Sequence, residues 1–164
     1  GNYYLNGTDV ARLNDTQRAH IRNTQLSFVF QRFHLLPTLT AAENVALPLQ
    51  YAGMAANEQA RRIKKYLSLV DLSDRQHHYP HQLSGGQQQR VAVARALAMQ
   101  PRILFADEPT GSLDSKTSRT ILDLLKQVYK EFDLTVILVT HDKEVAKEGN
   151  RQIVIRDGII QKNG

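Results

Sequence analysis

The sequence predicts an α/β fold, a mostly parallel sheet flanked by helices. Three observations carry that prediction. Strand-like and helix-like runs alternate along the 164 residues. Ile103-Leu104-Phe105-Ala106 and residues 135–140 are continuous apolar or β-branched runs, the pattern of strands buried on both faces. Between them Ile121, Leu124, Leu125, Val128 and Phe132 fall at helical spacing. Strand, helix, strand in that order is a βαβ unit, whose strands are parallel.

The other elements follow from local signals. Residues 1–5 read as extended, and Asn6-Gly7 as a turn. Asn14 with Gln17 three residues later opens a helix to about Arg22. Leu26-Ser27-Phe28-Val29-Phe30 is a short strand. Thr40-Ala41-Ala42-Glu43 is a capping box, and the helix it opens is expected to be distorted or ended by Pro48. Ala60, Ile63, Leu67 and Val70 mark a further helix, with Asn57 as its cap. Residues 73–82 are polar and loop-like. Ser84-Gly85-Gly86-Gln87 starts a helix to about Met99. Asp157-Gly158 between Ile153-Val154-Ile155 and Ile159-Ile160 is a hairpin signal.

Composition excludes several classes. Hydrophobic residues make up 41% and charged residues 23%, so the chain is neither an acidic disordered tail nor a coiled-coil rod. Without cysteine there is no disulfide, iron–sulfur or Cys-based zinc site. No apolar run approaches the ~18 residues that span a bilayer. The first residues lack the basic, apolar, small-residue order of a signal peptide. The net charge of +5 is spread out, with no run of five, so no nucleic-acid partner is expected.

In open parallel sheets, ligands sit beyond the carboxyl ends of the strands. Gln31, Asp107-Glu108 and His141 occupy those places after three strands. Paired carboxylates there can hold Mg²⁺ through the first and polarise water through the second; an apolar run followed by Asp-Glu also suits an ordinary strand exit. Two glycines at the start of the 84–87 helix let backbone N–H groups approach an anion, which the helix dipole favours. The same pattern also serves as a plain helix start. His77-His78-Tyr79-Pro80-His81 carries three histidines, but Pro80 and the spacing match no standard metal site.

Residues 83–87 read Leu-Ser-Gly-Gly-Gln, which resembles the signature of the ATP-binding cassette (ABC) ATPases. Further motifs follow the order of that family. Phe30-Gln31 resembles its Q-loop and Ile103-Leu104-Phe105-Ala106-Asp107 its Walker B strand. Glu108 is similar to its catalytic glutamate, Ser112-Leu113-Asp114 to its D-loop, and His141 to its switch histidine. The resemblance runs from residue 1 to 164. Phe28-Val29-Phe30-Gln31, Leu35-Leu36-Pro37, Glu43-Asn44-Val45, Tyr51-Ala52-Gly53 and Glu108-Pro109-Thr110-Gly111 resemble the macrolide-export and lipoprotein-release branch. Ser27 departs from it, since relatives often carry glycine there.

The resemblance implies a P-loop NTPase-like sheet, with residues 1–31 and 101–164 in a RecA-like core and about 32–100 in a helical signature subdomain. It implies ATP and Mg²⁺ as ligands, a homodimer of ATPase subunits, a membrane permease as partner, and a place on the cytoplasmic face of the membrane. Glu108 and His141 would be catalytic, and Gln31 and Asp107 would serve the metal. Ser84, Gly85, Gly86 and Gln87 would act across the dimer on the partner's nucleotide, and Ser112 and Asp114 would belong to the D-loop. Residues 38–54, with Leu35, Leu36, Leu39, Val45, Leu47 and Leu49, would offer a permease groove, subdomain core, or both.

One departure is large. The family's phosphate loop, G-x-x-x-x-G-K-[ST], does not occur in these residues. The chain therefore reads as an ABC ATPase lacking its N-terminal portion; the alternatives are a non-catalytic remnant or binding protein of the same fold, or a DNA-associated ABC-type ATPase. Three expectations follow: hydrolysis by this chain alone is weak; the strand faces at Leu104, Ile137 and Val139, or their neighbours, lose their cover; and the isolated chain aggregates, or needs the upstream segment or a partner.

Overall fold

A computed structural model describes residues 3–5 and 7–163. Asn6, half of the turn expected at Asn6-Gly7, and residues 1–2 of the extended start lie outside them. An antiparallel pair, β1 (Tyr4–Leu5) and β2 (Thr8–Asp9), opens the chain. Helix α1 (Asp15–Gln25) begins in a reciprocal cap, in which Asn14 Oδ1 accepts from Gln17 N at 2.9 Å and Gln17 Oε1 from Asn14 N at 3.0 Å. It leads directly into β3 (Leu26–Phe30).

Helix α2 (Ala41–Tyr51) starts at the expected Thr40–Glu43 box but runs through Pro48. Pro48 lies in the last turn, where losing one N–H bond is offset by burial of Ala41, Val45 and Leu49 along one face. Helix α3 (Ala56–Leu69) is capped at Ala55, not Asn57. Asn57 sits inside its first turn, and Ala55 O takes the first helical N–H bonds from Glu58 and Gln59. The 73–82 stretch holds two short 3₁₀ turns, Ser73–Arg75 and Pro80–Gln82.

Helix α4 (Gly85–Ala98) is apolar from Val91 onward except for Arg95, and Val91, Ala92, Val93, Ala94, Leu97 and Ala98 are all buried. Such a helix belongs at the centre of a domain. It packs against α2, α3 and β3. Arg62 Nη1 of α3 donates to Ala98 O at 2.9 Å and ties its far end down. The chain continues through β4 (Ile103–Asp107), α5 (Ser115–Glu131), β5 (Thr135–Val139), α6 (Lys143–Ala146), β6 (Ile153–Arg156) and β7 (Ile159–Asn163). The β6–β7 turn carries Asp157 at φ 51° and Gly158 at φ 76°, the two positive values that a type I′ hairpin requires.

Strands β3, β4 and β5 form a parallel sheet in that order. The register places Val29 beside Ala106 and Leu138, and Phe28 beside Phe105 and Ile137. Side chains alternate, so these rows lie on opposite faces. The Val29 row packs into the core cluster shared with α4 and α5. On the other face the Phe28 ring stacks on Phe105 at 5.0 Å and on Phe30 at 5.8 Å.

That second face corrects the expectation of strands buried on both sides. Ile137 is 38% exposed and Val139 50%, as the sequence led us to expect, but Leu104 is 0% exposed. Leu104 pairs with Ser27 and Val136 and so belongs to the packed row.

Candidate functional site

Phe30, Asp107 and Val139 are register partners, so β3, β4 and β5 end at one level. Gln31, Glu108 and the Thr140-His141 pair lie just beyond. Glu108 stands at φ 46°, a left-handed backbone uncommon for a residue with a side chain. Its N–H donates to Val139 O at 2.9 Å, and its O accepts from Gly111 N at 3.0 Å. This tight turn carries its carboxylate across to the end of β5. There Oε1 accepts from His141 N at 2.7 Å and meets His141 Nδ1 at 2.6 Å, while Thr140 Oγ1 donates to Oε2 at 3.3 Å. Facing a carboxylate oxygen, Nδ1 carries the hydrogen, and Nε2 points away, free to accept or to donate.

Glu108 and His141 line a cleft of about 480 Å³ with Gly111, Arg119, Asp142 and Glu148. Glu148 is held by Lys126 and Arg119, and the bond from Lys126 is the main cause that lowers its pKa below the usual carboxylate value. Gln31 and Asp107 share the sheet edge but do not line this cleft, which narrows the expectation of one cleft for all four. Asp107 belongs to the Phe105 row, so its side chain goes to the open face. The Gln31 side chain lies on Gly111, where an added Cβ would come within 2.8 Å of Nε2.

The 84–87 segment builds a separate place. Ser84 Oγ accepts from Gln87 N at 3.3 Å, and Gln87 Oε1 accepts from Ser84 N at 2.8 Å. The first turn leaves the Gly85 and Gly86 N–H groups without helical acceptors. Ser84, Gly86 and Gln87 line a second cleft, about 310 Å³, with Arg90, Lys116 and Thr117. Glu108 does not line it, and no bond joins Ser84 to Glu108. Gly86 touches α5 closely, since an added Cβ would meet Thr117 Cγ2 at 2.3 Å. Ser112 is exposed. Asp114 caps α5 through Lys116 N, Thr117 N and Thr117 Oγ1, and the Thr117 bonds lower its pKa.

The remaining candidates lie outside both clefts. His81 stacks on Tyr79, and His78 meets Arg75. Val45 and Leu49 are core, whereas Leu36 and Tyr51 are exposed. Among the described residues, no helix is long and apolar enough to cross a membrane. Sequence reading missed Lys116 and Thr117 at the second cleft, the Thr140 bond to Glu108, and Gln89 bonded to the Phe30 and Pro109 carbonyls. Gln89 offered no signal, since it lies in the polar run Gln87-Gln88-Gln89-Arg90.

The ABC transporter family profile matches residues 1–111 of the chain. The chain belongs to the ABC transporter family. It is of the nucleotide-binding type, close to macrolide-export cassettes. An ABC transporter ATP-binding protein of Thermotoga maritima is 52% identical over 161 residues, which cover 98% of this chain and 68% of that protein. The macrolide export ATP-binding/permease protein MacB of Syntrophobacter fumaroxidans is 48% identical over 98% of this chain and 23% of its own length. The dimeric post-hydrolysis structure of the ATP-binding cassette MJ0796, bound to ADP and Pi, superposes with a TM-score of 0.84 at 44% identity; the match covers 98% of this chain and 71% of that one. MJ0796 comes from Methanocaldococcus jannaschii.

Proposed function

We propose that this chain is the ATP-binding component of a macrolide-export or lipoprotein-release type transporter, working at the cytoplasmic face of a membrane on a permease partner. The observation that carries the reading is the 2.6 Å Glu108–His141 contact at the strand ends, with the 84–87 helix start opening a different cleft. That separation suits a site completed by a second subunit.

The residues fit the ligands in part. Asp107 and the Gln31 amide are hard oxygen donors at one edge, which suits Mg²⁺. The Gly85 and Gly86 N–H groups beside Lys116 suit a phosphate held by a partner protomer. A cradle for the same protomer's own phosphates would need G-x-x-x-x-G-K-[ST], which these residues do not contain. When bound, ATP supplies the phosphoanhydride bond whose cleavage drives the partner. Glu108 would orient and accept a proton from the attacking water, and His141, held by Glu108, would turn Nε2 to the transferred phosphate. Ser112 and Asp114 would meet the partner protomer. Residues 32–100 would form the lobe that touches the permease, through exposed Leu36 and Tyr51. We assign 1–31 and 101–164 to the catalytic lobe.

Phosphoryl transfer depends mostly on positioning and charge stabilisation. The 164-residue chain alone is therefore expected to turn ATP over weakly. The test is Mg²⁺-dependent hydrolysis by the purified chain, with Glu108→Gln as the control. Turnover at ordinary enzyme rates, abolished by Glu108→Gln, would overturn the weak-turnover reading. Absence of nucleotide binding in the presence of a phosphate-loop-bearing protomer would overturn the proposed site.

A further inference from the structure

Gln89 lies in the polar run Gln87-Gln88-Gln89-Arg90 of α4, one turn before Val93, yet it is 0% exposed and faces the core. A leucine or methionine would pack there at no polar cost. The amide instead donates from Nε2 to Pro109 O at 2.6 Å and Phe30 O at 3.3 Å, and its Oε1 has no partner. An unpartnered buried acceptor destabilises a fold, so the side chain does something that packing alone does not require.

Both accepting carbonyls flank candidate site residues. Phe30 precedes Gln31, and Pro109 follows Glu108. Farther along the same helix, Arg95 donates from Nη1 to His34 O at 2.6 Å and from Nη2 to Phe33 O at 2.9 Å. Phe33 and His34 stand at φ 50° and 48°, two consecutive side-chain-bearing residues in the left-handed region. Such backbone persists only where its surroundings hold it. Above the two loops, the Gln31 side chain rests on Gly111. The Gln31 loop and the Glu108 loop are thus stitched together from both sides, and the lower stitch belongs to the helix that starts at Ser84.

We infer that Gln89 and Arg95 are positioning residues. They fix the Gln31 loop, and Gln89 also the Glu108 loop, to α4, so the two strand-end segments and the 84–87 segment keep one geometry. The consequence for turnover rests on the proposed ATPase reading; the positioning itself rests on geometry alone.

The test is amide hydrogen exchange in the full chain and in Gln89→Met and Arg95→Lys. Both variants should raise exchange at residues 31–34 about tenfold, and Gln89→Met should do the same at 108–113. Residues of α3 and the second half of α5 should stay as in the parent. Unchanged protection in those loops, or a rise spread evenly over the chain, overturns the inference. If Gln89→Met does not fold, Arg95→Lys decides the 31–34 half and Gln89→Leu, which has no donor, decides the other. Where the parent hydrolyses ATP, kcat should fall at least tenfold with KM within twofold; an equal loss in both argues against positioning. A parent that neither binds nor hydrolyses nucleotide defeats the ATPase reading and leaves the exchange result to decide this one.

Discussion

Nδ1 of His141 and the backbone N–H of the same residue converge on one oxygen of Glu108, at 2.6 and 2.7 Å. The backbone bond ties the loop after β5 to Glu108, and the Nδ1 contact ties the ring to the same oxygen. Replacing Glu108 by Ala removes both bonds and should cost about 1–3 kcal/mol. Glycine also removes them but relaxes the positive φ, which costs a non-glycine residue about 1 kcal/mol. Glu108→Gly should therefore be more stable than Glu108→Ala by about that amount in urea unfolding. Equal stabilities would mean that the backbone at 108 is not strained.

Gly86 and Thr117 should behave as a pair. Gly86→Ala drives a methyl into Thr117 Cγ2, and overpacking of this kind costs about 1–3 kcal/mol. Thr117→Ser deletes Cγ2 but keeps the hydroxyl that bonds Asp114. The double variant should recover most of the loss, which a thermodynamic cycle measures directly. Additive losses would refute the contact.

The two faces of β4 and β5 should respond differently to truncation. Leu104→Ala should cost about 2–5 kcal/mol as a core deletion. Ile137→Ala, on the open face, should cost under about 1 kcal/mol. Chemical unfolding of the two variants is sufficient to check the difference.

Glu58 accepts from Arg61 and Arg62, and their bonds hold its pKa near 2. A depressed carboxylate stabilises the fold fully above its unfolded pKa of 4.5, and the effect is lost as pH falls through about 2. NMR titration should place the Glu58 midpoint near 2, and Arg62→Gln should move it up toward 4.5. A midpoint at 4.5 in the parent would contradict the paired geometry.

What could be read in the sequence was local. The boxes at Asn14, Thr40 and Ser84 each join residues three apart, and all three formed. The Asp157-Gly158 turn is equally self-contained. Asn57 misled because a capping residue type inside the first turn of a helix looks the same as one at its cap. Pro48 misled because its penalty depends on tertiary burial of the rest of α2. Leu104 could not be assigned a face, since its strand is apolar at every position before Asp107 and alternation gives no phase. Among site residues, Glu108 and His141 were legible from strand ends. Gln89 was not, because its partners stand 20 and 59 residues away.

The aromatic row of Phe28, Phe30 and Phe105 makes this chain a reporter of its own company. In a cell, a polar residue at Ile137 would raise the yield of soluble chain if that face meets only water, and would lower assembly if another surface closes over it. A single allele compared with and without candidate neighbouring polypeptides thus tells an orphan from a member of a complex, with no need to know the cargo.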